Sequence, residues 1–104
     1  MNYGLTNTDL QKLTMLFARN RKIERVILYG SRAKGNYKPF SDIDITLIGE
    51  GLTRSDVNRL ASDIDDLLLP YQFDISIFAS LKNKELIEHI KRVGIGIYQN
   101  NREG

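Results

Sequence analysis

Residues 30–48 read GSRAKGNYKPFSDIDITLI, and this stretch decides the fold. It follows Arg25-Val26-Ile27-Leu28-Tyr29, an apolar and aromatic run that predicts a short buried strand stopped by Gly30. At its other end, Asp42-Ile43-Asp44-Ile45-Thr46-Leu47-Ile48 alternates polar and apolar residues, the period of a half-buried strand. Asp42 and Asp44 therefore point to one side and Ile43, Ile45 and Leu47 to the other. Their attachment points lie roughly 6.6 Å apart along the strand.

Further on, Phe73-Asp74-Ile75-Ser76-Ile77-Phe78 predicts a third strand, with Phe73, Ile75 and Ile77 on one face and Asp74 and Ser76 on the other. If the second and third strands are neighbours sharing a buried face, Asp42, Asp44 and Asp74 all emerge on the open side. Two like charges at such spacing repel by about 2.5 kcal/mol at an effective dielectric near 20. Hard divalent cations answer that repulsion, and oxygen-only ligands suit magnesium, which takes further ligands from phosphate. Alone, an Asp-x-Asp pair in an amphipathic strand is usually its solvated face.

Gly30 lets the backbone turn sharply and approach a ligand. Ser31 is in position to cap a short helix starting at Arg32-Ala33, whose amides and dipole favour an anion such as phosphate. Arg32 and Lys34 bring positive charge to the same place. Alone, a Gly-Ser turn is an ordinary turn with a helix cap. Beside a metal-binding carboxylate pair, it supplies what phosphoryl or nucleotidyl transfer requires.

The rest of the chain supplies the frame. Thr8-Asp9-Leu10-Gln11 has the form of a capping box opening a helix with a Leu10, Leu13, Leu16, Phe17 stripe and an end near Asn20. Thr53 is placed to cap a second helix bearing Val57, Leu60, Ala61, Ile64, Leu67 and Leu68, with Asp56, Arg59, Asp63 and Asp66 facing water, until Pro70 stops it. Asn83 opens a last helix with Leu86, Ile87 and Ile90, ended by Gly94, and Ile95–Gln99 forms a short edge strand. The order helix, strand, strand, helix, strand, helix, strand predicts an α+β fold: a small mixed sheet, helices covering one face, and an open face for chemistry.

Composition narrows the field. With 104 residues, 41% hydrophobic and 27% charged, the chain supports one domain over 1–104, with a tail from about Asn100 to Gly104 expected to be mobile. Zero cysteines exclude disulfides, thiolate metal sites and a Cys nucleophile, and a single histidine, His89, excludes multi-His metal sites. No apolar run approaches a membrane span, and Met1-Asn2-Tyr3-Gly4-Leu5 has no signal-peptide pattern, so a cytoplasmic location with no membrane contact is expected. A net charge of +2 is small for a dedicated nucleic-acid binder. The basic group Arg19, Arg21, Lys22 and Arg25 reads as the flank of a helix end.

Gly30-Ser31, ten intervening residues, then Asp42-Ile43-Asp44 resembles the G-S-x10-D-x-D signature of the DNA polymerase beta-like nucleotidyltransferase superfamily. The whole stretch from Gly30 to Ile48 looks like the minimal nucleotidyltransferases, the MNT or MntA-type antitoxins, and the likeness runs from Val26 to Tyr98. The resemblance implies the polymerase beta-like fold, with Gly30 and Ser31 holding the nucleotide triphosphate and Arg32 and Lys34 assisting. It implies that Asp42 and Asp44 coordinate two magnesium ions, and that Asp74 completes one metal site and helps deprotonate the attacking hydroxyl. It further implies ATP as substrate, AMP transfer to a tyrosine of a partner HEPN-domain toxin, and hence a protein adenylyltransferase acting as antitoxin. Lys34 stands where arginine is common in that family; it keeps the charge and loses bidentate phosphate contact.

Different readings remain open at this level. One is a nucleotide-binding or non-catalytic antitoxin that neutralises its partner by contact alone. Another is a nucleic-acid binder using the basic loops, and a third is transfer to a small molecule, for which the sequence offers no acceptor domain. An acceptor is therefore expected from another macromolecule, and a homo- or hetero-oligomer is plausible for so small a core. Tyr37 and Phe40 read equally as loop packing or as partner surface, and Tyr71 flanks the same motif. His89 reads as a surface or boundary residue of the last helix, and Glu85 and Glu88 as solvated charges.

Overall fold

The computed structural model describes residues 3–100. The sequence expectations for the first two residues and for most of the tail, 101–104, lie outside the described residues. Four strands, β1 (Arg25–Tyr29), β2 (Ile43–Ile48), β3 (Phe73–Ile77) and β4 (Ile95–Gln99), form one mixed sheet in the order β3-β2-β1-β4. β1 runs antiparallel to β2 and β4, while β2 and β3 are parallel, joined through the helix α3 (Arg54–Asp65). The remaining helices are α1 (Asn7–Ala18), the four-residue α2 (Ser31–Lys34) and α4 (Lys84–Val93). This is the α+β class that the alternation pattern predicts.

The buried face of the sheet is built by period two. Val26 and Leu28 of β1 and Ile43, Ile45 and Leu47 of β2 are fully buried against Leu13 and Phe17 of α1 and Leu60 and Ile64 of α3. Each such side chain contributes about 1.5–3 kcal/mol when removed from water. Tyr98 of β4 packs on Phe17, with ring centroids 5.6 Å apart, and ties the edge strand to α1.

The helix starts explain themselves locally, with one correction. α1 is capped by Thr6, not Thr8: Thr6 Oγ1 accepts the Asp9 amide at 3.0 Å, and the Asp9 carboxylate accepts the Thr6 amide at 3.2 Å. Leu5 just before the cap lies in the core, and Leu10 packs against that core, so the apolar anchors on both sides of Thr6 select this register over the one at Thr8. Thr53 caps α3 as expected, and Asn83 caps α4. Asp56 does not merely face water: it completes the Thr53 box, accepts from Asn20 Nδ2 at 3.0 Å and pairs with Lys22 Nζ at 2.6 Å. The α1–β1 loop is thereby fastened to the start of α3.

Leu68 leaves the stripe assigned to it. α3 ends at Asp65 and the chain turns before Pro70, so Leu68 takes φ 57° and is exposed, while Leu67 and Leu69 reach the core. The helices also divide between the faces. α1 and α3 cover the apolar face, whereas α4 lies on the other face over β1, so close that a Cβ on Gly94 would strike Ile27 Cγ2 at 2.7 Å. The open part of that face is the end of β2 and β3 that carries Asp42, Asp44 and Asp74, since Thr46 further along β2 is fully buried. Among the described residues, no helix is long and apolar enough to cross a membrane.

Candidate active site

The site is assembled where β1 ends and β2 begins. After Tyr29 the chain enters Gly30 with φ 78° and ψ −155°, a backbone region essentially reserved for glycine. A Cβ there would run into the carboxylate of Asp44. Glycine is therefore required twice, by conformation and by the close approach of Asp44.

Ser31 opens α2 as its first residue, and Gly30 occupies the cap position with no side-chain cap bond. The expectation that Ser31 caps this helix is corrected: the sharp turn at Gly30 brings Ser31 one residue further into the helix. Its hydroxyl thus stays out of the cap and beside the turn. The turn is held by the Lys34 amide on the Gly30 carbonyl at 3.1 Å and by the Gly35 and Asn36 amides on the Ser31 carbonyl at 3.0 and 3.2 Å. Lys34 itself is exposed.

Arg32 is the buried residue of α2. Its guanidinium is 2% exposed and lies between the rings of Tyr37 and Tyr71, 4.9 and 5.2 Å from their centroids. Nη1 donates to the Tyr3 carbonyl at 2.8 Å, Nε and Nη2 to the Ser41 carbonyl at 3.2 and 2.9 Å, and Nη2 to the Pro39 carbonyl at 3.4 Å. Four of the five guanidinium N–H donors are committed to carbonyls and both faces to rings. Arg32 thus acts as a clamp that shapes the loop from α2 to Asp42. The Ser41 hydroxyl, accepting from the Lys38 amide at 2.8 Å, closes the same loop. Tyr37 therefore packs the loop, while Phe40 stands 93% exposed at its tip.

The three carboxylates fall on one face. Asp44 pairs in register with Asp74 across the parallel β2–β3 ladder and with Tyr29 across the antiparallel β1–β2 ladder. Asp42, two residues before Asp44, precedes the ladder and is exposed, as is Asp74, while Asp44 is half-buried. Burial, then Asp74, then Asp42 push the Asp44 carboxyl above the usual carboxylate range. The Tyr29 phenol is pushed up by burial, a rise that a hydrogen bond with Ser76 opposes and the charges of Asp44 and Asp74 reinforce. Beneath the carboxylates, Ser76 Oγ donates to Thr46 Oγ1 at 2.9 Å. The polar periodicity of β2 and β3 carries this pair, because Thr46 and Ser76 continue the faces of Asp44 and Asp74.

Among the described residues, no group of three or more His, Cys, Asp or Glu side chains is arranged so that it could hold a metal ion. The chemistry of the donor set nevertheless suits a hard cation: three carboxylates on one face, the central one with its pKa raised by burial first and then by the other two, and a glycine turn against it.

One residue enters the site from outside the motif. His89 of α4 accepts the Gly30 amide on Nε2 at 3.1 Å and meets the Tyr29 ring edge-on, with centroids 6.2 Å apart. The boundary position expected for His89 holds, but its contact with the turn could not be read without knowing that α4 lies over β1.

A sharp glycine turn after a strand is followed by an Asp-x-Asp strand and a third in-register carboxylate. The chain belongs to the family described as Polymerase beta, Nucleotidyltransferase, which it matches over residues 11–103. Several solved structures share the fold. A toxin–antitoxin crystal structure with AMP-PNP aligns at a TM-score of 0.72 with 22% identity, covering 88% of this chain and 74% of that one. A complex of tri-AMPylated Shewanella oneidensis HEPN toxin with MNT antitoxin aligns at 0.68 with 18% identity, covering 92% and 74%. A protein inferred to be a minimal nucleotidyltransferase aligns at 0.65 with 26% identity, covering 91% and 95%. Among curated sequences, the DNA mismatch repair protein MutL of Bacillus anthracis (strain CDC 684 / NRRL 3495) is 29% identical over 87 residues, spanning 83% of this chain but only 12% of that protein.

Proposed function

We propose that the protein is a magnesium-dependent nucleotidyltransferase that moves AMP from ATP to a hydroxyl, that of a tyrosine, on a partner HEPN-domain toxin, and so acts as an antitoxin. The observation that carries this reading is the in-register pair Asp44 and Asp74 set against the Gly30 turn. The fold is shared with a toxin–antitoxin structure with AMP-PNP and with an MNT antitoxin in complex with a tri-AMPylated HEPN toxin, which supports both donor and acceptor.

In this reaction the acceptor oxygen forms a bond to the α-phosphorus of ATP, and the bond from that phosphorus to the bridging oxygen breaks. Pyrophosphate leaves with the bonding pair. Asp42, Asp44 and Asp74 would hold the magnesium ions, which supply neutralisation of the phosphate charge and alignment for in-line attack. Gly30 lets the backbone approach the triphosphate, Ser31 offers its hydroxyl and amide to it, and exposed Lys34 offers a flexible positive charge. Asp74, exposed on the edge strand, would take the proton from the acceptor hydroxyl. The Arg32 clamp and the Ser41 turn keep Asp42 at the mouth of the site.

The test is a mass measurement on a candidate HEPN-domain partner, after incubation with the protein, ATP and magnesium. A gain of whole adenylyl groups on a tyrosine, absent with Asp42→Asn/Asp44→Asn, supports transfer. Neutralisation of the toxin without any mass gain would replace transfer by contact alone.

A further inference from the structure

We propose that His89 is a positioning residue for the triphosphate, holding the Gly30 turn through its imidazole; the inference rests on the nucleotidyltransferase reading above. Gly30 lies just past the ladders: β1 ends its pairing with β2 at Tyr29–Asp44 and with β4 at Leu28–Ile95. Its amide has no strand partner, and a half-buried donor left without one is costly. His89 Nε2 accepts that amide at 3.1 Å from an element 59 residues further along the chain. The Gly30 carbonyl is taken by the Lys34 amide at 3.1 Å. Both backbone groups of Gly30 are thus committed, one to α4 and one to α2, and rotation of either adjoining peptide breaks one of these bonds.

Two further contacts make α4 a firm support. The imidazole stands edge-on to Tyr29 at an interplanar angle of 79°, which fixes the ring as well as its nitrogen. Gly94 ends the helix in close contact with Ile27, with its amide on the Ile90 carbonyl at 2.8 Å, so the helix is seated on β1 and not hinged away from it. An accepting Nε2 places the ring proton on Nδ1. His89 therefore acts through Gly30: it sets the direction in which the Ser31 amide and hydroxyl face the phosphates and touches no reacting atom.

The direct test is a through-hydrogen-bond ¹⁵N–¹⁵N coupling between the Gly30 amide and His89 Nε2 in the wild-type protein, which needs no variant. Beside it, magnesium-ATP affinity is measured by calorimetry for wild type, His89→Ala and His89→Gln. A measurable coupling, about tenfold weaker binding for the alanine variant, and recovery to within about threefold for glutamine, which keeps an acceptor at similar reach, are expected. No coupling, or equal affinity for wild type and His89→Ala, overturns the role of His89 alone. Equal losses in both variants overturn it too, because acceptance of the Gly30 amide would then not matter. A folded wild-type protein that binds no magnesium-ATP, alone or with its partner, overturns the nucleotidyltransferase reading and this role with it.

Discussion

Asp44 and Asp74 stand side by side on parallel strands, in direct register on the same open face of the sheet. They come from segments separated by the whole of α3, and the parallel ladder alone brings them together. Two like charges on neighbouring strands oppose each other. The fold holds that repulsion in place because, on the opposite face, Ile45 belongs to the core and Ile75 packs against it.

Removing the charge should therefore cost function and not stability. Asp42→Asn with Asp44→Asn is expected to abolish AMP transfer while raising the stability of the metal-free protein by about 1 kcal/mol, once screening by water is allowed for. That corresponds to a rise of about 4–8 °C in Tm. Circular dichroism melts with chelator present check it; a loss of the native fold would make the carboxylates structural.

At Gly30 the opposite balance holds. Gly30→Ala forces a Cβ into the Asp44 carboxylate at positive φ. A destabilisation of about 2 kcal/mol is expected, together with loss of magnesium-ATP binding in the fraction that folds. Thermal melts and calorimetry on the same sample separate the two effects.

Arg32 should behave as a clamp. Arg32→Ala is expected to destabilise by about 3 kcal/mol, because it leaves the carbonyls of Tyr3, Pro39 and Ser41 without donors. Arg32→Lys recovers little, since an ammonium cannot span those carbonyls or stack between Tyr37 and Tyr71. A lysine variant with wild-type Tm and weakened nucleotide binding would make Arg32 a phosphate ligand.

Acid acts through Asp56. Lys22 first, then the Thr53 amide, hold its carboxyl down to about 2, against an ordinary value of 3.8. The folded state thus binds this proton more weakly than the unfolded chain. The contribution is fully present above about pH 4 and is lost as pH falls through about 2. The Tm difference between wild type and Asp56→Asn should accordingly be constant near neutrality and shrink over that window.

The strands and the face of each carboxylate were legible from the sequence because period two is a local property of Ile43–Ile48 and Phe73–Ile77. The places where reading failed are those where a distant partner decides. Thr6 and Thr8 both offer a cap, and only the seating of Leu5 and Leu10 in the core chooses between them. Arg32 reads as a free cation beside a phosphate turn until Tyr71, some forty residues away, is seen to share its guanidinium with Tyr37. His89 is one polar residue on an amphipathic helix, and nothing local to it says that α4 crosses to the carboxylate face. Leu68 continues a helical stripe in sequence, but the turn that Pro70 requires ends the helix first.

The most direct measurement of the central assignment is calorimetric titration of ATP into the protein with and without magnesium, alongside the Asp42→Asn/Asp44→Asn variant. Binding that requires magnesium and disappears in the folded double variant is the expected result. Binding of equal strength in wild type and variant, or none even in the co-purified complex with its partner, would contradict it.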